Sequence, residues 1–113
     1  MDVWAIIGRH FPDSDPEYKG ISSLVLLCHV RDLIEAKGYR LGNLDVTVIA
    51  QRPKLAPYLA EMEAKLARVL GTSEDRINIK ATTEEHLGFT GRGEGIACHA
   101  VCLLEETGRL VAL

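Results

Sequence analysis

No stretch of this 113-residue chain approaches the ~20 consecutive apolar residues that cross a bilayer, and the start, Met1-Asp2-Val3-Trp4, lacks the basic-then-apolar layout of a signal peptide. The chain therefore reads as cytoplasmic, with no membrane partner. An excess of basic charge is missing as well. Thirteen Lys and Arg face sixteen Asp and Glu, for a net charge of −3, the wrong sign for a protein whose affinity rests on neutralising phosphates, so nucleic acid is excluded as a bulk partner. Cysteine is scarce and odd in number, at three. Cys98 and Cys102 fall in a segment that reads as a strand, which sets their Cα atoms about 13 Å apart at ~3.3 Å per residue, beyond disulfide reach. Reduced thiols are expected; only a helical reading would give the pair metal-ligand spacing, and His99 would then point elsewhere.

Other signatures are absent too. There is no internal repeat and no low-complexity tract. Neither GxGxxG nor a Gly-Lys-Ser/Thr turn occurs, so the dinucleotide and P-loop readings fail. His10, His29, His86 and His99 are scattered without ligand spacing, and no serine or cysteine has an evident base beside it.

What is present is a length and a 47% apolar content that suit one domain over residues 1–113. A short apolar piece at residues 3–7 leads into a loop punctuated by two prolines and two aspartates. A helix follows over residues 22–37, capped by Ser22 or Ser23, with Leu24, Leu27, Val30, Leu33 and Ile34 at helical spacing and Gly38 at its left-handed end. Residues 41–50 alternate as a strand, with Leu44, Val46 and Val48 on one face and Asp45, Thr47 and Ile49 on the other. A second helix is predicted over 55–70, with Leu59, Met62, Leu66 and Val69 or Leu70 inward and Gly71 as its stop. Strands over 76–82, with Ile77, Ile79 and Ala81 alternating against Asn78 and Lys80, and over 96–104 complete the set. The order predicts an α/β (α+β) fold in which helices cover one face of a small mixed sheet. The other face needs a cover that one chain has little left to supply, which implies an oligomer.

Four segments could carry chemistry. Asp13-Ser14-Asp15 suits either turn and capping work or a divalent ion, but lacks the glycine and distal glutamate of a calcium loop. Ala50-Gln51-Arg52-Pro53-Lys54 follows a strand, where ligands of α/β sheets commonly bind, though a solvated loop would look the same. Residues 79–85 read as a strand running into a helical turn. There Thr82 and Glu85 fit a capping box, and the same geometry would attract phosphate through free amides and threonine hydroxyls, with Glu85 on a phosphate-bound Mg²⁺. Gly88-Phe89-Thr90-Gly91-Arg92-Gly93-Glu94-Gly95 is either a flexible connection or a phosphate contact through Arg92.

Together, Phe11-Pro12-Asp13-Ser14-Asp15-Pro16, Lys37-Gly38-Tyr39, Leu41-Gly42-Asn43, Asp45-Val46-Thr47, Ala50-Gln51, Pro53-Lys54, Lys80-Ala81-Thr82-Thr83 and Leu87-Gly88-Phe89-Thr90-Gly91-Arg92-Gly93-Glu94-Gly95-Ile96-Ala97 strongly resemble the 2-C-methyl-D-erythritol 2,4-cyclodiphosphate synthases of the non-mevalonate isoprenoid pathway. The resemblance runs from about residue 7 to residue 104. It implies a homotrimer, with sites between neighbouring subunits, that converts 4-diphosphocytidyl-2-C-methyl-D-erythritol 2-phosphate to the cyclodiphosphate with release of CMP. It also implies zinc and a second divalent ion, Mg or Mn. By the same resemblance Gly8, Phe11, Pro12, Asp13, Ser14 and Asp15 line the methylerythritol phosphate. Ala50, Gln51, Arg52, Pro53, Lys54, Leu55 and Ala56 hold cytosine. Thr82, Thr83 and Glu84 contact the diphosphate, with Thr83 as transition-state donor, and Glu85 ligates Mg through the substrate diphosphate. Phe89 and Arg92 face the trimer's central cavity or the substrate phosphates.

The chain covers roughly the C-terminal two thirds of the family pattern. The Asp-x-His pair and later His of the zinc site have no counterpart in it, and Ile6 stands where the family places the carboxylate on the ribose. The enzyme is therefore expected without its zinc ligands on this chain, the alternative being a non-catalytic trimeric module for cytidine nucleotides or isoprenoid diphosphates. A plant or algal source would place it in the plastid stroma.

Overall fold

Residues 22–108 are described by a computed structural model; the apolar piece at 3–7 and the loop bearing Gly8, Phe11, Pro12, Asp13, Ser14 and Asp15 lie outside the described residues. Helix α1 spans Ser23–Ala36. Of the two serines offered by the sequence, Ser22 is the cap, its hydroxyl accepting from the Leu24 amide at 3.3 Å. The helix ends where Gly38, at φ 84°, turns the chain into strand β1, Tyr39–Ile49. A single 3₁₀ turn at Ala56–Tyr58, opened by Pro57, precedes helix α2, Leu59–Leu70, and Gly71 stops it in the left-handed conformation. Strand β2 is Ile77–Thr82, α3 is one short turn at Gly88–Gly91, and β3 is Ala97–Glu106.

The three strands are ordered β2-β1-β3. β1 runs parallel to β2, with Leu44 opposite Ile77 and Ile49 opposite Thr82, and antiparallel to β3, with Leu44 opposite Cys102 and Val46 opposite Ala100. This is the mixed sheet that the sequence predicts. Helices α1 and α2 lie against β1 and β2. The core lies between the sheet and α2: Val46, Val48, Ile77, Ile79 and Ala67, with Leu44, Leu55, Leu59, Met62, Leu66 and Leu70 packed against it, while α1 has no buried residue and Leu24, read from sequence as part of its apolar face, is exposed. Each buried isoleucine contributes about 1.5–3 kcal/mol. Arg31 of α1 donates to the Val69 carbonyl at 2.8 Å, which places a cation on the carbonyl-rich end of α2 and locks the two helices together.

Ala81 departs from the alternation read in its strand. It is exposed rather than inward, because β2 runs beyond the helix cover at its C-terminal end. Strand β3 is exposed almost throughout, with Val101 at 71% and Leu103 at 64%. Cys98 and Cys102 are free, exposed and set along this strand.

On the sheet face away from the helices, Asp45 is opposite Asn78. The Lys80 ammonium donates to its Oδ2 at 2.6 Å and the Asn78 amide to its Oδ1 at 2.8 Å. These two hydrogen bonds, Lys80's first, hold the Asp45 carboxyl below the ordinary aspartate value. The stabilisation is therefore present above that ordinary value and is lost as pH falls through the lowered one. An NMR titration should place the Asp45 midpoint below that of an unstructured aspartate, and Lys80→Met should move it back up; an unshifted native midpoint would refute the pairing.

Candidate functional site

Because β1 and β2 are parallel neighbours, the segments that follow them emerge at the same end of the sheet, where ligands of such sheets collect. The Ala50 amide donates to the Thr82 carbonyl at 3.0 Å, continuing the ladder one step past β1. Residues 50–56 and 82–85, distant in sequence, are thereby brought together.

Beyond Thr82 the chain does not enter a helix. The capping box expected of Thr82 and Glu85 is absent; instead Glu85 and His86 adopt φ values of 52° and 65°, forming a tight left-handed turn. Three consecutive amides of this turn are satisfied individually. Glu85 donates to the Thr83 hydroxyl oxygen at 3.2 Å, His86 to Gln51 Oε1 at 3.1 Å, and Leu87 to the Glu84 carbonyl at 3.1 Å. The physical reason for the correction lies in Gly91, buried under the turn, where a Cβ would come within 2.8 Å of His86 Cα. The free amides of a helix start, invoked from sequence for phosphate binding, are accordingly not what this turn offers. Its exposed groups are the Thr82 and Thr83 hydroxyls and the Glu84 and Glu85 carboxylates.

On the β1 side, Ala50 is buried and its N–H is spent on β2. Gln51 is half-buried and turned to His86, while Arg52, Pro53 and Lys54 are exposed, with a cis peptide between Arg52 and Pro53. Leu55 is half-buried and packs against the core, and Ala56 begins the 3₁₀ turn that leads to α2. The Gly88–Gly91 turn replaces the first half of the expected flexible connection. Phe89 is half-exposed, with its ring over Gly95, where a Cβ would come within 3.1 Å. Arg92 is exposed and paired with its neighbour Glu94. Its guanidinium donates to both carboxylate oxygens of Glu94, at 2.8 and 3.3 Å, in a surface pair worth less than about 1 kcal/mol.

A family model described as the YgbB family matches residues 4–105. The chain belongs to the YgbB family. It is 64% identical over 100 residues to the 2-C-methyl-D-erythritol 2,4-cyclodiphosphate synthase of Syntrophotalea carbinolica, covering 88% of this chain and 61% of that protein. To the synthase of Clostridioides difficile it is 59% identical over 103 residues, covering 91% and 64%. Among solved structures, the bifunctional IspDF of Campylobacter jejuni matches with a TM-score of 0.84 at 40% identity, over 91% of this chain and 28% of that one. The Plasmodium falciparum IspF in complex with CDP matches at 0.77 and 35%, over 89% and 60%. The chain thus spans less than two thirds of the length of these curated relatives.

The two metals implied for this family by resemblance fare differently. The exposed carboxylate of Glu85, beside threonine hydroxyls, suits Mg²⁺, which usually takes one or two carboxylates and completes its shell with phosphate oxygens and water. Zinc needs three or four converging nitrogen, sulfur or carboxylate ligands. Among the described residues no group of three His, Cys, Asp or Glu could hold a metal ion.

His86, Leu87 and Gly91 complete the turn and were not singled out as site residues from sequence. The one local signal was the glycine itself, since a glycine between polar residues often marks a close approach of two backbones.

Proposed function

We propose that this chain forms the cytidine-nucleotide and diphosphate side of a 2-C-methyl-D-erythritol 2,4-cyclodiphosphate synthase that works as a homotrimer. The observation that carries the reading is the parallel pairing of β1 and β2, which delivers residues 50–56 and the Thr82–Thr83–Glu84–Glu85 turn to one end of the sheet. The CDP named for the Plasmodium falciparum relative is of the chemical class this end would take. Loop 50–56 takes the cytosine and Lys54 supplies positive charge nearby. Thr83 Oγ1 already accepts from the Glu85 amide, so its own hydrogen is directed away from the turn and can be donated to a phosphate oxygen.

In the reaction the substrate's 2-phosphate oxygen bonds to the β-phosphorus, the bond between that phosphorus and the bridging oxygen breaks, and CMP leaves with the electron pair. Such a step depends on positioning and charge neutralisation more than on a covalent catalyst. Glu85 would hold Mg²⁺ or Mn²⁺, which supplies neutralisation of the diphosphate. No step is assigned through zinc, whose ligands the described residues do not provide. Residues 8 and 11–15 complete the substrate end. The exposed apolar residues of β3 are where neighbouring subunits would meet, within a single domain over 1–113. No helix among the described residues is long and apolar enough to cross a membrane, and the cytoplasm or a plastid stroma suits an enzyme of this substrate class.

Calorimetry with CDP and Mg²⁺, on protein whose sedimentation reports three chains, tests the proposal. Binding is expected, weakened by one to two orders of magnitude relative to a full-length relative because Ile6 cannot supply a charge-assisted hydrogen bond worth about 1.5–3 kcal/mol. Thr83→Ala and Lys54→Ala should each weaken it further. No heat above dilution at millimolar CDP from a folded trimer, or a monodisperse monomer at micromolar concentration, would overturn the respective part of the reading.

A further inference from the structure

Gln51 stands in the loop that the sequence assigns to the cytosine, yet its carbonyl oxygen is committed elsewhere. It accepts the His86 N–H at 3.1 Å across 35 residues of sequence. An amide N–H can only donate, so the group facing it must be the side-chain carbonyl, and the orientation of Gln51 follows from that. The residue it grips is under strain. Glu85 and His86 both lie in the left-handed region, which disfavours a non-glycine residue, and such a turn persists only where its surroundings hold it. Of its three hydrogen-bonded amides, those of Glu85 and Leu87 are satisfied from within the turn, by Thr83 and Glu84. Of the three amides, only that of His86 reaches another segment, and that segment is the nucleotide loop, one residue beyond the Ala50 amide that holds the Thr82 carbonyl.

We propose that Gln51 is a positioning residue: it acts not on the cytosine but through His86, fixing the turn that carries Thr83 and Glu85 at the distance from loop 50–56 that a cytidine diphosphate spans. The inference rests on the reading of this end of the sheet as the nucleotide site and adds a coupling between its two halves. Lost coupling should penalise ligands that reach the turn and spare those that stop short of it. CDP, with its β-phosphate, is the former, and CMP the latter.

The test uses Gln51→Leu, which keeps the bulk and removes the acceptor, and Gln51→Glu, which keeps an acceptor oxygen at the same reach. With Mg²⁺ present, Gln51→Leu should bind CDP about tenfold more weakly while CMP changes less than about twofold, and Gln51→Glu should recover most of the CDP affinity. In parallel, hydrogen exchange of the His86 amide should quicken at least tenfold in Gln51→Leu and not in Gln51→Glu, with the Val46 amide in the core unchanged in both. An equal loss of CDP and CMP would make Gln51 a direct base contact and overturn the inference, as would an unchanged CDP affinity. If the native protein binds neither nucleotide, the proposed function falls. The exchange arm then decides the positioning role by itself, since unaltered His86 exchange in Gln51→Leu would refute it.

Discussion

Gly91→Ala should cost the protein about 1–3 kcal/mol of stability and lower its affinity for CDP by at least tenfold, although residue 91 bears no functional group. The added Cβ would lie 2.8 Å from His86 Cα and 3.1 Å from its nitrogen, and closer still to its carbonyl carbon. A flexible side chain could swing aside; backbone already strained at φ 65° cannot do so without moving the whole turn. That movement stretches the His86 to Gln51 bond and carries the Thr83 hydroxyl and Glu85 carboxylate with it. Gly93→Ala is the control, because residue 93 also has a positive φ, 74°, but nothing within 4 Å of the added atom. It should show the cost of strain alone, with CDP affinity nearly intact. Thermal unfolding and calorimetry on both variants check this, and a folded Gly91→Ala protein with native CDP affinity would contradict the role given to the turn.

The largest loss of stability is expected from Ile79→Ala. Ile79 is 4% exposed, sits opposite Val46 in the parallel ladder and is part of a core of five buried residues. Removing three of its carbons leaves a cavity between sheet and α2, for a cost of about 2–5 kcal/mol. Domains of this size have only about 5–15 kcal/mol in total, so much of the protein's margin would go. Urea unfolding should show a lower midpoint with an unchanged slope. Val101→Ala, at a position 71% exposed, should cost less than about 0.5 kcal/mol in the single chain. A loss there as large as at Ile79 would mean that partner copies bury β3, and would speak for the trimer.

The parts of this fold that were legible in the sequence are those written in local chemistry. Ser22 and Gly38 bracket α1, Gly71 stops α2, and the alternation of Leu44, Val46 and Val48 marks the inward face of β1, because caps, left-handed glycines and a period of two each act within a few residues. The turn after Thr82 escapes local patterns for the opposite reason. Thr82 and Glu85 satisfy a capping pattern locally, but the positive φ of Glu85 and His86 is held by Gly91 beneath and by Gln51 from the loop after β1, both distant in sequence or unmarked by it. The short helix at Gly88–Gly91 is hidden in the sequence because glycine is a poor helix former. The Arg92–Glu94 pair joins residues two apart, and no sequence pattern announces it. In the candidate site, the segments could be named from the sequence, but their adjacency depends on the parallel register, which no local pattern states.

The unequal sequence distances within the sheet also set an order of assembly. Asp45 and Asn78, which bond across β1 and β2, are 33 residues apart, and the crossover between them runs through α2, whose own contacts are local. Arg40 and Glu105, which bond across β1 and β3, are 65 apart, and the connection crosses the glycine-rich stretch. Loop closure must precede the contacts that reward it, so the β1-α2-β2 unit is the natural nucleus, and β3, flanked by few buried side chains, zips on last and peels off first. A nascent or heated chain therefore passes through a two-stranded stage in which one edge of β1 is bare, and capture of that edge by another copy competes with the arrival of its own third strand.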